Sequence, residues 1–203
     1  MQRKVFDKLA SGVGALLVVG LLAAGGLLMW GYSFANSSVH DQLAAQQIYF
    51  PPSSVWAHAT KNNSGEIQAR MIPYLKQYSG QQLLTGQQAE AYANHFIAYH
   101  LDNMPYHGVY SKVSAANMAA TPGSTQQKTL SALATTSFQG TTLRGLLLEA
   151  FAFWTIGQVM FWGAVTSFAV ALLLTLLVGG GLWHARRTSE EARLFAVKAV
   201  PVS

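Results

Sequence analysis

A run of 34 residues, 150–183, contains no ionisable side chain, and no other stretch restricts the folding of this chain as tightly. A helix rises about 1.5 Å per residue and a hydrocarbon core is roughly 30 Å thick, so about 20 apolar residues cross it. Extended back to Leu143, the segment gains only Arg144 and Glu149 as charges and runs to nearly twice that length. Its Leu, Val, Ala and Phe content is highest over 159–182, while the first half holds Glu149, Thr155 and Gln158 among aromatics. The reading is one long helix over 146–184 that starts outside a bilayer and enters it as a transmembrane span.

A second uncharged run covers 13–34, after a tail, 1–12, with Arg3, Lys4 and Lys8 against Asp7. It exceeds the 7 to 15 residues usual for a signal-peptide core, so it reads as a retained transmembrane helix, although Ser33-Phe34-Ala35 has a small-x-small form. Arg186, Arg187, Arg193 and Lys198 fall in the C-terminal tail, 185–203, so seven of the 13 Lys and Arg lie in two short tails. By the positive-inside rule both tails are cytoplasmic and 35–145 is extracytoplasmic, at the plasma membrane. Trp30, Tyr32, Trp183 and His184 suit the interfaces. The expected fold is an all-α membrane protein whose two long transmembrane helices extend into a small extracytoplasmic helical bundle.

Composition agrees. Charged residues are 10% of the chain, against about 25% in a soluble domain. Cysteine is absent, which excludes disulfides, thiolate metal sites and a cysteine nucleophile. The basic residues form no stripe with interleaved aromatics, so no nucleic-acid partner is indicated.

Between the spans, Val39, Leu43, Gln46, Gln47 and Phe50 keep helical spacing up to Pro51-Pro52, which predicts that the first helix projects outward to that point. Residues 53–65 read as a loop; Asn36 and Asn62 match short glycosylation sequons. Ile67, Met71, Leu75 and Tyr78 predict a helix over 66–78 broken near Pro73. Thr85 and Gln88 form a capping-box pattern ahead of a helix over 87–102, whose apolar face is Ala89, Tyr92, Ala93, Phe96, Ile97 and Leu101. A turn at 103–108, a short helix over 110–120, and a second capping pattern, Ser124 with Gln127, opening a helix to Phe138 complete the region. Gly140 then leads into the final helix.

Gly163, Ser167, Ala171, Thr175 and Gly179 recur every four residues along the second span. Small side chains let helix backbones approach closely where lipid offers no hydrophobic contrast, so this row predicts a packing face. Its partner is either the first span, where Gly20 and Ala24 offer a shorter matching face, or a separate subunit.

Catalytic signals are few. His95, His100, Asp102 and His107 crowd into thirteen residues, with His40-Asp41 elsewhere. Residues five apart on a helix point about 140° apart, so His95 and His100 do not share a face and no metal or other cofactor is expected. Glu149 reads as an interfacial or helix-start carboxylate suited to the helix dipole, and Gln158 as a hydrogen-bonding residue between helices. Phosphate-loop, dinucleotide, nucleophile-elbow and His-Glu-x-x-His patterns are absent from the sequence.

The segment His40-Asp-Gln-Leu-Ala-Ala-Gln-Gln-Ile-Tyr-Phe-Pro51 and the segment Thr142-Leu-Arg-Gly-Leu-Leu-Leu-Glu-Ala-Phe-Ala-Phe-Trp154 resemble a family of small actinobacterial two-span membrane proteins of uncharacterised function. The resemblance implies the topology and supplies no catalytic residue. The label of aromatic-ring-opening dioxygenase that some members carry would require an iron site that these residues do not supply. The function expected is non-enzymatic: an accessory or scaffolding subunit, in contact with membrane lipids and with other membrane subunits or copies of itself. An extracytoplasmic sensor or ligand-binding module is the alternative.

Overall fold

The computed structural model describes residues 3–61 and 65–187; Asn62, Arg193 and Lys198, named above, lie outside them. Among the described residues six α-helices occur in order: α1 (Arg3–Gln46), α2 (Ile72–Leu75), α3 (Gly86–Tyr92), α4 (Ala98–Asp102), α5 (Tyr110–Ala119) and α6 (Thr125–Arg187). A π-turn, Ala93–Ile97, joins α3 to α4. Among the described residues there is no strand, and the isolated pairings Tyr49 with Gln82 and Thr60 with Gln68 are the extent of β-type bonding. The chain is therefore all-helical, and α1 and α6 are each long and apolar enough to cross a membrane. It divides into two compact units, one made of the chain up to Ser33 and from Gln158, the other of Phe34–Gly157.

In the first unit the two long helices meet along a seam. Ser11, Gly14, Leu21, Gly25, Leu28 and Tyr32 face it from α1, and Ala164, Ser167, Ala171, Leu174, Val178, Gly181 and Ala185 from α6, mostly at alternating steps of three and four. A heptad turns about 700°, only 20° short of two full turns, so such a row stays on one side of a helix. Glycine makes the approach possible. A Cβ on Gly14 would lie 2.6 Å from Val178 Cγ2, one on Gly25 2.7 Å from Phe168 Cε1, and one on Gly31 2.6 Å from Met160 Sδ.

The second unit holds a core of Val39, Leu43, Phe50, Trp56, Met71, Leu75, Leu83, Ala89, Ile97 and Leu147. Residues 53–65, read as a loop, begin with a 3-10 helix, Ser53–His58, that buries Trp56, and the local structure departs from the sequence reading in three further places. First, α1 stops at Gln46, short of Pro51-Pro52: Gln47 takes a left-handed conformation (φ 53°), and the next residues turn to pair with 81–83 through Phe50 N–H to Gln81 O (2.9 Å) and Leu83 N–H to Ile48 O (2.9 Å). Second, 66–78 is three short turns, Ala69–Met71, Ile72–Leu75 and Lys76–Tyr78, preceded by Thr60–Ile67 backbone pairing that holds 67 and 68 extended. Third, Gly140 does not separate two helices; α6 runs unbroken for 63 residues. Gly140 is instead a contact point, since a Cβ there would come within 2.8 Å of Leu101 Cδ2.

The capping signals correspond to real caps. Gln88 N–H donates to Thr85 Oγ1 (3.2 Å) and Thr85 N–H to Gln88 Oε1 (3.1 Å). At α6, Gln127 N–H donates to Ser124 Oγ (3.1 Å), while Gln127 Oε1 accepts from Gly123 N–H (2.7 Å), one residue earlier than a strict box.

Candidate functional site

Of the small-residue row, Ser167 and Ala171 are buried in the seam and Gly163 flanks it, with its missing Cβ 3.2 Å from Leu28 Cδ1. Thr175 and Gly179 turn away from it, and Gly20 and Ala24 lie exposed on α1. Four-residue steps advance 400°, or 40° beyond a full turn, so a row of five drifts about 160° around the helix. The seam uses Gly25 where Gly20 and Ala24 were expected. Ser167 Oγ donates across it to Leu21 O at 2.7 Å, an interhelical bond onto a main-chain carbonyl, whereas Thr175 Oγ1 donates to Ala171 O of its own helix. No hydrogen bond links Gln158 to another helix among the described residues.

The second unit is tied together by Arg70. Its Nε donates to the buried Gln68 Oε1 (2.7 Å), Nη1 to Asp102 Oδ2 (3.2 Å), and Nη2 to Tyr99 O (3.1 Å) and Asn103 Oδ1 (3.3 Å), with the guanidinium 4.2 Å from the Tyr99 ring centre. Asp102 also takes His107 Nδ1 at 3.0 Å, and Arg70 and His107 together hold its carboxyl below the usual range. That contact sits on a left-handed turn in which Tyr106 (φ 60°), His107 (φ 53°) and Gly108 (φ 60°) follow one another. Beside it, Arg144 Nη2 donates to Asn94 Oδ1 (2.8 Å) and Asn94 in turn to Glu90 Oε1 (2.8 Å), which links α6 to α3.

The histidines do not converge. His95 stacks on Tyr74 at 3.5 Å and nearly parallel (3°), its Nδ1 3.1 Å from Tyr99 Oη, and burial lowers its pKa although Glu90 pulls the other way. His100 donates from Nδ1 to Phe96 O at 2.7 Å; His40 lies beside Asp41. Among the described residues no three His, Asp or Glu side chains gather as a metal site. Glu149 lies 24 residues beyond Thr125 (149 − 125), about 36 Å along α6, so the helix-start role is corrected: the positive end of the dipole is far away.

Two of the clefts in this unit have walls that include α6 and several aromatic rings or apolar side chains. One, of about 370 Å³, runs between α1 and α6, with Ser38, Gln42, Gln46 and Glu149 above Phe34 and Phe153. The other, of about 320 Å³, opens between α4 and α6, and Phe96, Leu101, Met104 and Leu143 make it mostly apolar.

No family model, curated protein or solved structure matches this chain. The geometry alone therefore carries the functional argument. The sequence pointed to the seam through its small residues, but it gave no sign of either cleft, because their walls come from segments that periodicity treats separately. His100 carried one signal: it follows Phe96 by four residues, the spacing at which a side chain reaches the carbonyl one turn back.

Proposed function

We propose that this is a two-span membrane protein, non-enzymatic, serving as an accessory or scaffolding subunit in a larger membrane assembly. One observation supports it most: the long helices meet along a narrow seam and leave the rest of their apolar surface bare. Only 6% and 17% of their most hydrophobic windows are buried. Leu16, Leu27, Trp30, Val159, Trp162 and Leu177 are each at least 65% exposed. A water-soluble chain does not present a patch of that extent, so lipid and neighbouring helices are its natural solvent. Tail cations support cytoplasmic termini, with the second unit outside.

The test has two arms. Because the chain has no cysteine, a single Lys61→Cys change reports topology: an impermeant maleimide should label it on intact cells, and label Trp183→Cys only after lysis. Protection of position 61 refutes the orientation. Purification in mild detergent should then recover the protein with stoichiometric partners or as a defined oligomer; a solitary monomer refutes the scaffolding role.

A further inference from the structure

We propose that the cleft between α4 and α6 binds a small hydroxylated aromatic ring, a phenol or quinol, whose hydroxyl donates to Nε2 of His100. Geometry fixes the tautomer of His100. His100 Nδ1 is 2.7 Å from Phe96 O, and a carbonyl oxygen only accepts, so Nδ1 carries the proton. An imidazole in that tautomer keeps its acceptor lone pair at Nε2, and this atom has no partner among the described residues.

His100 is part of the lining of an apolar cleft of about 320 Å³, and Nε2 is the atom we take it to offer there. That size is at the lower end of ligand pockets and suits one or two fused rings, not a nucleotide. Filling the cleft with a purely apolar molecule would leave a desolvated Nε2 unpaired and weaken binding. A carboxylate brings no donor and meets no cation in the lining. A phenolic hydroxyl brings the donor on an apolar body. An aromatic body fits the walls: Phe96 and His100 already meet at 4.5 Å and 50°, and the Met104 thioether offers the polarisable contact that rings favour. On the α6 side, Gln139 lines the same cleft, and its carboxamide makes no hydrogen bond among the described residues; it offers both a donor and an acceptor to a second ring substituent. Gly140 keeps the α6 wall low between them, where a Cβ would crowd Leu101. This ligand site goes beyond the scaffolding role and does not depend on which partners the spans contact.

The experiment uses the full chain in detergent with ring-¹⁵N histidine and follows the His100 Nε2 resonance, one of six histidines, assigned by its loss in His100→Phe. The probes are 2-naphthol and 2-methoxynaphthalene, whose oxygen cannot donate. A saturable shift of His100 Nε2 with 2-naphthol, at least tenfold tighter than any response to the ether, is the expected result, with the other five histidines unmoved. His100→Phe should remove the tenfold preference, and Gln139→Leu should weaken 2-naphthol binding several-fold. No shift at His100, or equal responses to the two probes, overturns the proposal; should His100→Phe fail to fold, His100→Gln supplies the assignment and the wild-type spectra then decide.

Discussion

Replacing Gly86 by alanine puts two ordinary rules in opposition at one atom. Gly86 opens α3 and is buried, and an added Cβ would stand 2.3 Å from Trp154 Cβ and 2.5 Å from its Cγ. Carbon pairs rest at about 3.5–4.0 Å, so the start of α3 must retreat from α6 by more than about 1 Å. The atoms met belong to the root of the tryptophan side chain, which cannot swing aside as a chain tip does. Helix propensity alone would stabilise the variant by up to ~1 kcal/mol. Overpacking opposes it by ~1–3 kcal/mol. The Thr85–Gln88 cap, adjacent in sequence, moves with the helix end, and its loss is worth ~0.5–2 kcal/mol more. The net expectation is destabilisation by about 2 kcal/mol, or roughly 4–8 °C in a chain of this length. Gly145→Ala is the control, because nothing lies within 4 Å of its missing Cβ in the interior of α6. It should stabilise by up to ~1 kcal/mol. Thermal unfolding of both variants in the same detergent, read by near-ultraviolet circular dichroism, decides the matter. Should Gly86→Ala unfold at or above the temperature of Gly145→Ala, the contact with Trp154 is not limiting and the steric reasoning fails.

Arg70→Met leaves the buried Gln68 Oε1 and the Tyr99 carbonyl without their donor and removes the ring contact, for about 2–4 kcal/mol in denaturant titration; Arg70→Lys should recover less than half, since one ammonium cannot reproduce the planar fork, and full recovery would contradict this. Stability should fall on acidification from pH 7 to 5: the folded state holds His95 below its usual value near 6.5, so the unfolded chain takes up the proton first, and the stability present above 6.5 is lost as pH drops through the folded-state value. Asp102, also lowered, adds a further loss only below about pH 4, and His95→Phe, which keeps a ring on Tyr74, should flatten the pH 7 to 5 slope; a melting temperature that rises on acidification refutes both signs. In the seam, Gly14→Val drives a branched side chain against Val178 Cγ2 and should loosen the helix pair, whereas Gly179→Val, in open space, should not; a crosslink between cysteines at 11 and 181, which face each other, reads the difference, and equal crosslinking of the two variants would sink the assignment.

How much of the second unit was legible depended on whether a residue's partner lay within one helical turn. The caps at Thr85 and Ser124 and the helix that follows Thr85 are local devices, satisfied by residues three or four positions away, and they occur where the spacing predicted them. The end of α1 was not legible, because Phe50 and Ile48 leave the helix to pair with residues more than thirty positions on. Gly140 misled for a related reason. A glycine in a helical pattern reads as a break, but here it answers the approach of Leu101, an element that the local pattern cannot announce.

The seam shows the same limit in a form that can be reasoned through in advance. Two periodicities coexist in the second span: small residues every four, and small or apolar residues at alternating three and four. Only the second keeps to one face over many turns, because its angular error is 20° per heptad and is absorbed by slight left-handed coiling, whereas the first accumulates 40° at every step. A row of five small residues therefore serves a short right-handed crossing, and a contact that runs from Ser11 against Gly181 to Tyr32 against Phe161 is too long for it. Ser167 and Ala171 belong to both rows, and that is why composition alone could not separate them. Length of contact separates them: the longer two helices stay together, the more strictly the seven-residue period must govern, and the more the remaining small residues are left to face whatever surrounds the pair.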